Sequence, residues 1–323
     1  MRVCVTGGTG FIGGALVRRL LAEGHQVRVL ARPSPRADAL AASGVEVVRG
    51  SLLDRDKVTH AIEGSQLVYH TAAKVRGPGS RDEFMQVNLE GTQNVFEGCI
   101  TKGVPHVVHL SSITVYGPVP KGHTITEDTG LDSQDRNSYA QSKTEADNYA
   151  DAIGAKTKLA VTILRPGVVY GSGQPLPVAL LGFRTGSTNV VFGKRDQRFP
   201  IVYIENLIDA LWLVGSRQEG GVKRYLVLDD DDLTLGQYHA ELAQVAAMRT
   251  LFFPAWIVFS TAVAVDVLMW IVPWGFGYPV WRREVRRAMQ DRHYSTRRIR
   301  EELGWSPRVG LKEAIEQTLK RSE

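Results

Sequence analysis

Residues 2–13 read RVCVTGGTGFIG, an apolar run over Arg2–Thr6 that passes straight into Gly7, Gly8, Thr9, Gly10, Phe11, Ile12 and Gly13. Five residues rich in β-branched side chains make a short strand. A helical pattern over 11–23 begins before the glycines end. The spacing TGxxGxxG gives each glycine a task. Gly7 permits a tight turn, Gly10 lets backbone approach a pyrophosphate, and Gly13 lets the helix lie against the sheet, with Thr9, Phe11 and Ile12 around them. Unpaired N–H groups and a positive dipole end at the helix start favour phosphate there. A dinucleotide is therefore the ligand expected on this loop.

Working outward, short apolar runs recur at 26–31, 45–48, 67–70, 106–110 and 159–164, with helical patterns at 11–23, 81–102 and 138–154. Near-continuous apolar strands imply a sheet covered on both faces, and their alternation with helices implies a parallel, doubly wound α/β sheet. After about residue 165 the pattern loosens: helices at 204–215, 235–247 and 311–320, and a strand at 224–228. The expected division is a dinucleotide-binding domain over 1–171 and a smaller α/β substrate lobe over 172–323, the two interleaved. The acidic run 229–232 reads as a solvated loop between strand and helix, and no metal site is expected.

Composition narrows the possibilities. The chain has 323 residues, 43% hydrophobic and 23% charged, with 32 Gly and 14 Pro, which is ordinary for a globular protein. Its two cysteines, Cys4 and Cys99, make no disulfide framework and no CxxC, as suits a reducing cytoplasm. A glycine loop by residue 7 leaves no room for a signal peptide ahead of it. The net charge of +5 is carried mainly by 251–323, where 12 Lys/Arg face 8 Asp/Glu. No nucleic-acid partner is expected from so local an excess.

The second strand ends Ala31-Arg32-Pro33-Ser34, with no acid before Asp38. An acid there would hold the ribose hydroxyls and repel a 2′-phosphate. Arg32, helped by Arg36, can instead pair with that phosphate, so NADP(H) is favoured over NAD(H). Further on, Tyr139 and Lys143 stand four apart on one helix face. A nearby ammonium would lower the phenol from its ordinary value near ~10 toward the working range. Ser112, beyond the fifth strand at the carboxyl end of the sheet, could hold a substrate oxygen while the phenol exchanges its proton.

With these motifs in order, the chain resembles the extended short-chain dehydrogenase/reductases of the NAD-dependent epimerase/dehydratase superfamily, over roughly the first 215 residues. The resemblance implies a Rossmann-type fold. TGGTGFIG is similar to the family's cofactor loop, and His70-Thr71-Ala72-Ala73 to the stretch beneath the cofactor. Asn88 matches a structural asparagine, Ser112 the catalytic hydroxyl, and Tyr139 with Lys143 the YxxxK pair. Pro166, Val168 and Val169 lie in the segment that meets the nicotinamide. By that resemblance Tyr139 is the acid/base, Lys143 binds the nicotinamide ribose and tunes the phenol, and Asn88 positions the helix and a relay water. Where many members have Gly-Asp-Leu, this chain has Gly50-Ser51-Leu52, placing Ser51 and Leu52 at the adenine. The resemblance also implies a homodimer built on 81–102 and 138–154.

The stretch Phe199-Pro200-Ile201-Val202-Tyr203-Ile204-Glu205-Asn206-Leu207 resembles the 3β-hydroxysteroid and sterol dehydrogenase branch, as does Tyr294–Pro307. Residues 251–274 carry one charge, Asp266, and four tryptophans stand at 256, 270, 274 and 281. An acid within the stretch argues against a full membrane span. It reads either as a helix dipping into one leaflet or as a lid over an apolar pocket. The eight arginines of 281–300 suit anionic headgroups, so peripheral contact through 251–300, at the inner face of a membrane, is expected. The expected function is NADP(H)-dependent interconversion of a secondary alcohol and a ketone on a small lipophilic substrate, a steroid or a long-chain β-hydroxy/β-keto compound. The alternative is a nucleotide-sugar 4-epimerase or dehydratase using the same Tyr/Lys chemistry.

Overall fold

The computed structural model describes residues 1–75, 79–120, 122–132, 137–217, 220–260 and 290–320. Its strands are β1 (Arg2–Thr6), β2 (Gln26–Ala31), β3 (Glu46–Arg49), β4 (Leu67–His70), β5 (His106–Leu110), β6 (Thr124–Ile125) and β7 (Ala160–Pro166), then β8 (Val168–Tyr170), β9 (Gly182–Thr185), β10 (Thr188–Phe192), β11 (Ile201–Tyr203), β12 (Val222–Val227), β13 (Arg249–Phe253) and β14 (His293–Tyr294). The helices are α1 (Phe11–Ala22), α2 (Pro35–Ala42), α3 (Arg55–Ile62), α4 (Arg81–Met85), α5 (Gly91–Thr101), α6 (Ser138–Lys156), α7 (Ile204–Ser216), α8 (Leu235–Ala246), α9 (Arg297–Leu303) and α10 (Leu311–Lys320).

Seven strands form one parallel sheet in the order β3-β2-β1-β4-β5-β7-β12. This is the doubly wound arrangement that the alternating pattern predicts. Successive side chains point to opposite faces. Val3, Val5, Val29 and Tyr69 join α1 and α7 in one core, while Cys4, Leu30, Val68 and Val107 join α3 and α5 in the other. The chain order reverses between β1 and β4, so a crevice opens at their carboxyl ends. The strand β12 comes from beyond residue 171, so the sheet draws on both spans of the sequence.

Some elements depart from expectation. The expected helix over 81–102 is present and continuous, with a π turn, Gln86–Glu90, between α4 and α5. There the Thr92 hydroxyl donates to the Asn88 carbonyl at 2.5 Å, sharing that oxygen with the helix's own ladder. A second, three-stranded sheet, β13-β10-β9, was not foreseen. Its hairpin turns on Gly186 at φ +55°, and β13 pairs with β10 from some sixty residues away, where no local pattern shows it. The acids 229–232 do lie in the loop between β12 and α8, yet two turn inward: Asp229 accepts from the Tyr203 backbone, and Asp231 from the Thr296 backbone and hydroxyl.

Of the apolar stretch 251–274, residues 251–253 belong to β13, and Trp256 is 61% exposed. The leaflet-or-lid question falls on 261–289, outside the described residues. Among the described residues, no helix is long and apolar enough to cross a membrane.

Candidate active site

At the crevice the glycine turn takes the form its spacing predicts. Gly7 sits at φ +76°, and a Cβ there would meet the Ala72 backbone nitrogen at 2.7 Å. A Cβ on Gly13 would lie 2.2 Å from the Gly7 carbonyl oxygen, so helix and turn close only on glycine. The Gly10 amide donates to the Gly7 carbonyl at 2.9 Å. Gly10 caps α1 without a side chain, and the first turn holds no acid. That leaves both the N–H groups and the field free for a phosphate, so the residues fit a dinucleotide's pyrophosphate.

A cavity of about 640 Å³ runs from this turn over the sheet's carboxyl edge. It brings together Gly7, Gly10, Phe11, Ile12, Gly13, Thr71, Ala73, Ser112, Tyr139, Lys143, Pro166, Val168 and Val169. The other expected residues lie off its wall. Thr9 is within the turn, and Ala72 is the backbone against which Gly7 packs. Arg32 is exposed just past β2, whose Leu30 is in register with Thr6 at the end of β1. Its nearest sequence acid, Asp38, is paired to Arg49 at 2.8 Å. The Ser51 hydroxyl accepts from the Leu53 amide, and the Leu52 carbonyl accepts from Asn94. Asn88 is a joint: its oxygen takes the Lys74 amide, and its amide group donates to the Lys74 carbonyl and the Ser142 hydroxyl. It thereby ties the loop after β4 to α6.

The catalytic candidates come from two elements that meet. α6 starts where the Asn137 side chain accepts from the Ala140 amide, which presents Tyr139 in the first turn. Ser112 caps a 3₁₀ turn, Ile113–Val115, just after β5. A hydrogen bond joins Ser112 to the Tyr139 phenol and favours its ionisation, but burial outweighs it and pushes the phenol up to about 12. Burial thus overrides the expected lowering by Lys143. Lys143 is fully enclosed, which brings its amine down to about 8, and its Nζ donates to the Leu110 carbonyl at 2.7 Å. At neutral pH the site thus holds a protonated phenol beside a readily titrated amine.

Behind Lys143, one turn along α6, Asp147 is completely buried. Arg165 Nε donates to it at 2.9 Å, and His109 Nε2 lies 3.3 Å from its other oxygen. Although burial opposes its charge, these neighbours bring its carboxyl down to about 2. Arg165 also donates to the Tyr116 hydroxyl and the Glu127 carbonyl. His109, stacked on His70 at 5.3 Å, is lowered to about 4 by burial. A buried carboxylate thus supports the field at Lys143.

The cavity lining also includes Leu180, Arg198, Pro200, Gln290, Arg292 and Tyr294, which were not assigned to the site from sequence. They arrive on loops and on β14, which pairs with β6 across some 170 residues. Asn206, singled out by the branch resemblance, does not line the cavity. It donates to Asp229 and to the Val309 carbonyl and accepts from the Arg308 and Val309 amides, holding the C-terminal strap.

The model of the NAD dependent epimerase/dehydratase family matches residues 3–227. The chain belongs to that family. Its similarity extends over full length to a 2-alkyl-3-oxoalkanoate reductase of Stenotrophomonas maltophilia, 30% identical with 98% of this chain and 97% of the relative covered. A 3 beta-hydroxysteroid dehydrogenase/Delta 5-->4-isomerase of Mycobacterium tuberculosis is 28% identical, with 98% and 89% covered. Among solved structures, the Thermus thermophilus UDP-glucose 4-epimerase complex with NAD superposes with a TM-score of 0.70 at 25% identity, covering 99% of this chain and 98% of that one. The expected family, fold and enzyme class stand.

Proposed function

We propose that this family member is an NADP(H)-dependent oxidoreductase that interconverts a secondary alcohol and a ketone on a lipophilic substrate. The observation that carries the reading is one cavity holding the glycine turn, the Ser112–Tyr139 pair and Lys143 against apolar walls such as Ile113, Val168, Val169 and Leu180. A bound nicotinamide supplies the hydride exchange. In reduction the carbonyl carbon gains that hydride and its oxygen gains a proton. Tyr139, held protonated by its surroundings, is suited to give the proton, and Ser112 to orient the oxygen. Lys143, which lines the same cavity, would hold a ribose hydroxyl of the bound dinucleotide. Exposed Arg32 supports the choice of NADP(H), because a 2′-phosphate beyond β2 would meet a guanidinium rather than a carboxylate.

The relatives named for oxoalkanoate and hydroxysteroid chemistry favour the lipophilic substrate. Homodimerisation on α4, α5 and α6, which lie side by side, and membrane contact through 251–300 belong to the same reading. The test is incubation with NADPH and apolar ketones while the reduced-nicotinamide absorbance is followed. Stoichiometric loss is expected. Conversion of a nucleotide sugar with no net change in cofactor would overturn the reading in favour of a 4-epimerase.

A further inference from the structure

Two arginines line the cavity, and they differ in their partners. Arg198 is neutralised, with Asp232 at 3.3 Å and Asp291 at 3.2 Å. Arg292 is only 8% exposed and, among the described residues, has no carboxylate within 4 Å. Its Nε and one terminal nitrogen donate to the Gln290 side-chain oxygen at 3.2 and 2.9 Å, and the other terminal nitrogen donates to the Tyr116 carbonyl at 3.3 Å. Three of a guanidinium's five N–H donors are thereby used on neutral oxygens. A buried cation without a counter-charge is costly, and it persists where a partner completes it.

The guanidinium is also held in place. Its chain neighbour Asp291 accepts from the Arg198 backbone at 2.9 Å, and β14 begins at the next residue. Tyr116, which receives it, directly follows the 3₁₀ turn capped by Ser112, so the guanidinium is anchored on the same segment that carries the catalytic hydroxyl candidate. The same cavity is lined by the apolar side chains of Ile113, Val169, Leu180 and Pro200.

We infer that Arg292 binds a carboxylate on the substrate, so that the substrate class is an oxo or hydroxy carboxylic acid with an apolar chain, for which a 3-hydroxy fatty acid is the probe. This rests on the oxidoreductase reading and sharpens it. A steroid alcohol would leave the guanidinium unmatched, and a diphosphate would bring more charge than one buried arginine and an apolar wall can meet.

The test compares kcat/KM for NADP⁺-dependent oxidation of 3-hydroxydodecanoate and its methyl ester, in wild type, Arg292→Gln and Arg292→Lys. Wild type is expected to prefer the acid by about ten- to a hundredfold, the range for a charge-assisted bond. Arg292→Gln should bring that ratio near one, and Arg292→Lys should keep part of it. Each ratio is taken within one protein, so a general loss of activity does not move it. If Arg292→Gln does not fold, the wild-type and Arg292→Lys ratios decide. An acid-to-ester ratio near one in wild type, or an unchanged ratio in either variant that folds, overturns the carboxylate site while cofactor turnover on the ester upholds the oxidoreductase. No turnover of either compound, together with epimerisation of a nucleotide sugar, overturns both.

Discussion

Two parts of the cavity lining are built differently. The cofactor end comes from one contiguous strand–turn–helix, β1 to α1, and its recognition surface is backbone. Gly7 and Gly13 matter for the side chains they lack. The rest of the lining is assembled from Leu180, Arg198, Pro200, Gln290, Arg292 and Tyr294, whose side chains give it both apolar wall and charge. The first is a local consequence of sequence and suits many chemistries. The second exists only when distant segments have docked, and loop-built surfaces of that kind are where one fold is adapted to different ligands.

Four experiments sharpen that contrast. The largest effect is expected at the junction of the two parts: Tyr139→Phe should lower kcat roughly 10²–10⁴-fold, measured by reduced-nicotinamide turnover. Next, Asp147→Asn removes the carboxylate from a fully buried ion pair and should cost about 3–5 kcal/mol in denaturant unfolding. The sign of its pH dependence follows from a lowered carboxyl. In wild type its contribution is complete above 3.8 and is lost as pH falls through about 2, so the variant's acid unfolding should lack that segment. At the cofactor end, Arg32→Ser should reduce the NADPH-over-NADH preference in kcat/KM about ten- to a hundredfold, the worth of one charge-assisted bond. The smallest change is a titration. Activity should fall on raising the pH through about 8, as Lys143 loses its proton, and that limb should vanish in Lys143→Met.

The fold was legible because its information is local. β1, β2, β4 and β5 have the limits their apolar runs indicate. The glycine turn, Ser112, Tyr139 and Lys143 were legible for the same reason. Three features were not. The π turn at Asn88 is accompanied by side-chain bonds that no hydropathy period reflects. The proton balance of Tyr139 depends on how much of the cavity wall covers it, which spacing on a helix cannot convey. Arg292 belongs to a basic stretch that suits a surface, and only the pairing of β14 with β6 turns it inward.

The lateral limit of the main sheet has a consequence for biosynthesis. All seven residues of β7 are buried, and its outer edge is covered by β12, which lies more than fifty residues downstream. A nascent or truncated chain ending near 171 would present a bare, sticky ribbon ready to template another molecule. A chain cut near residue 171 should therefore self-associate, whereas one running to Val227 keeps that edge covered.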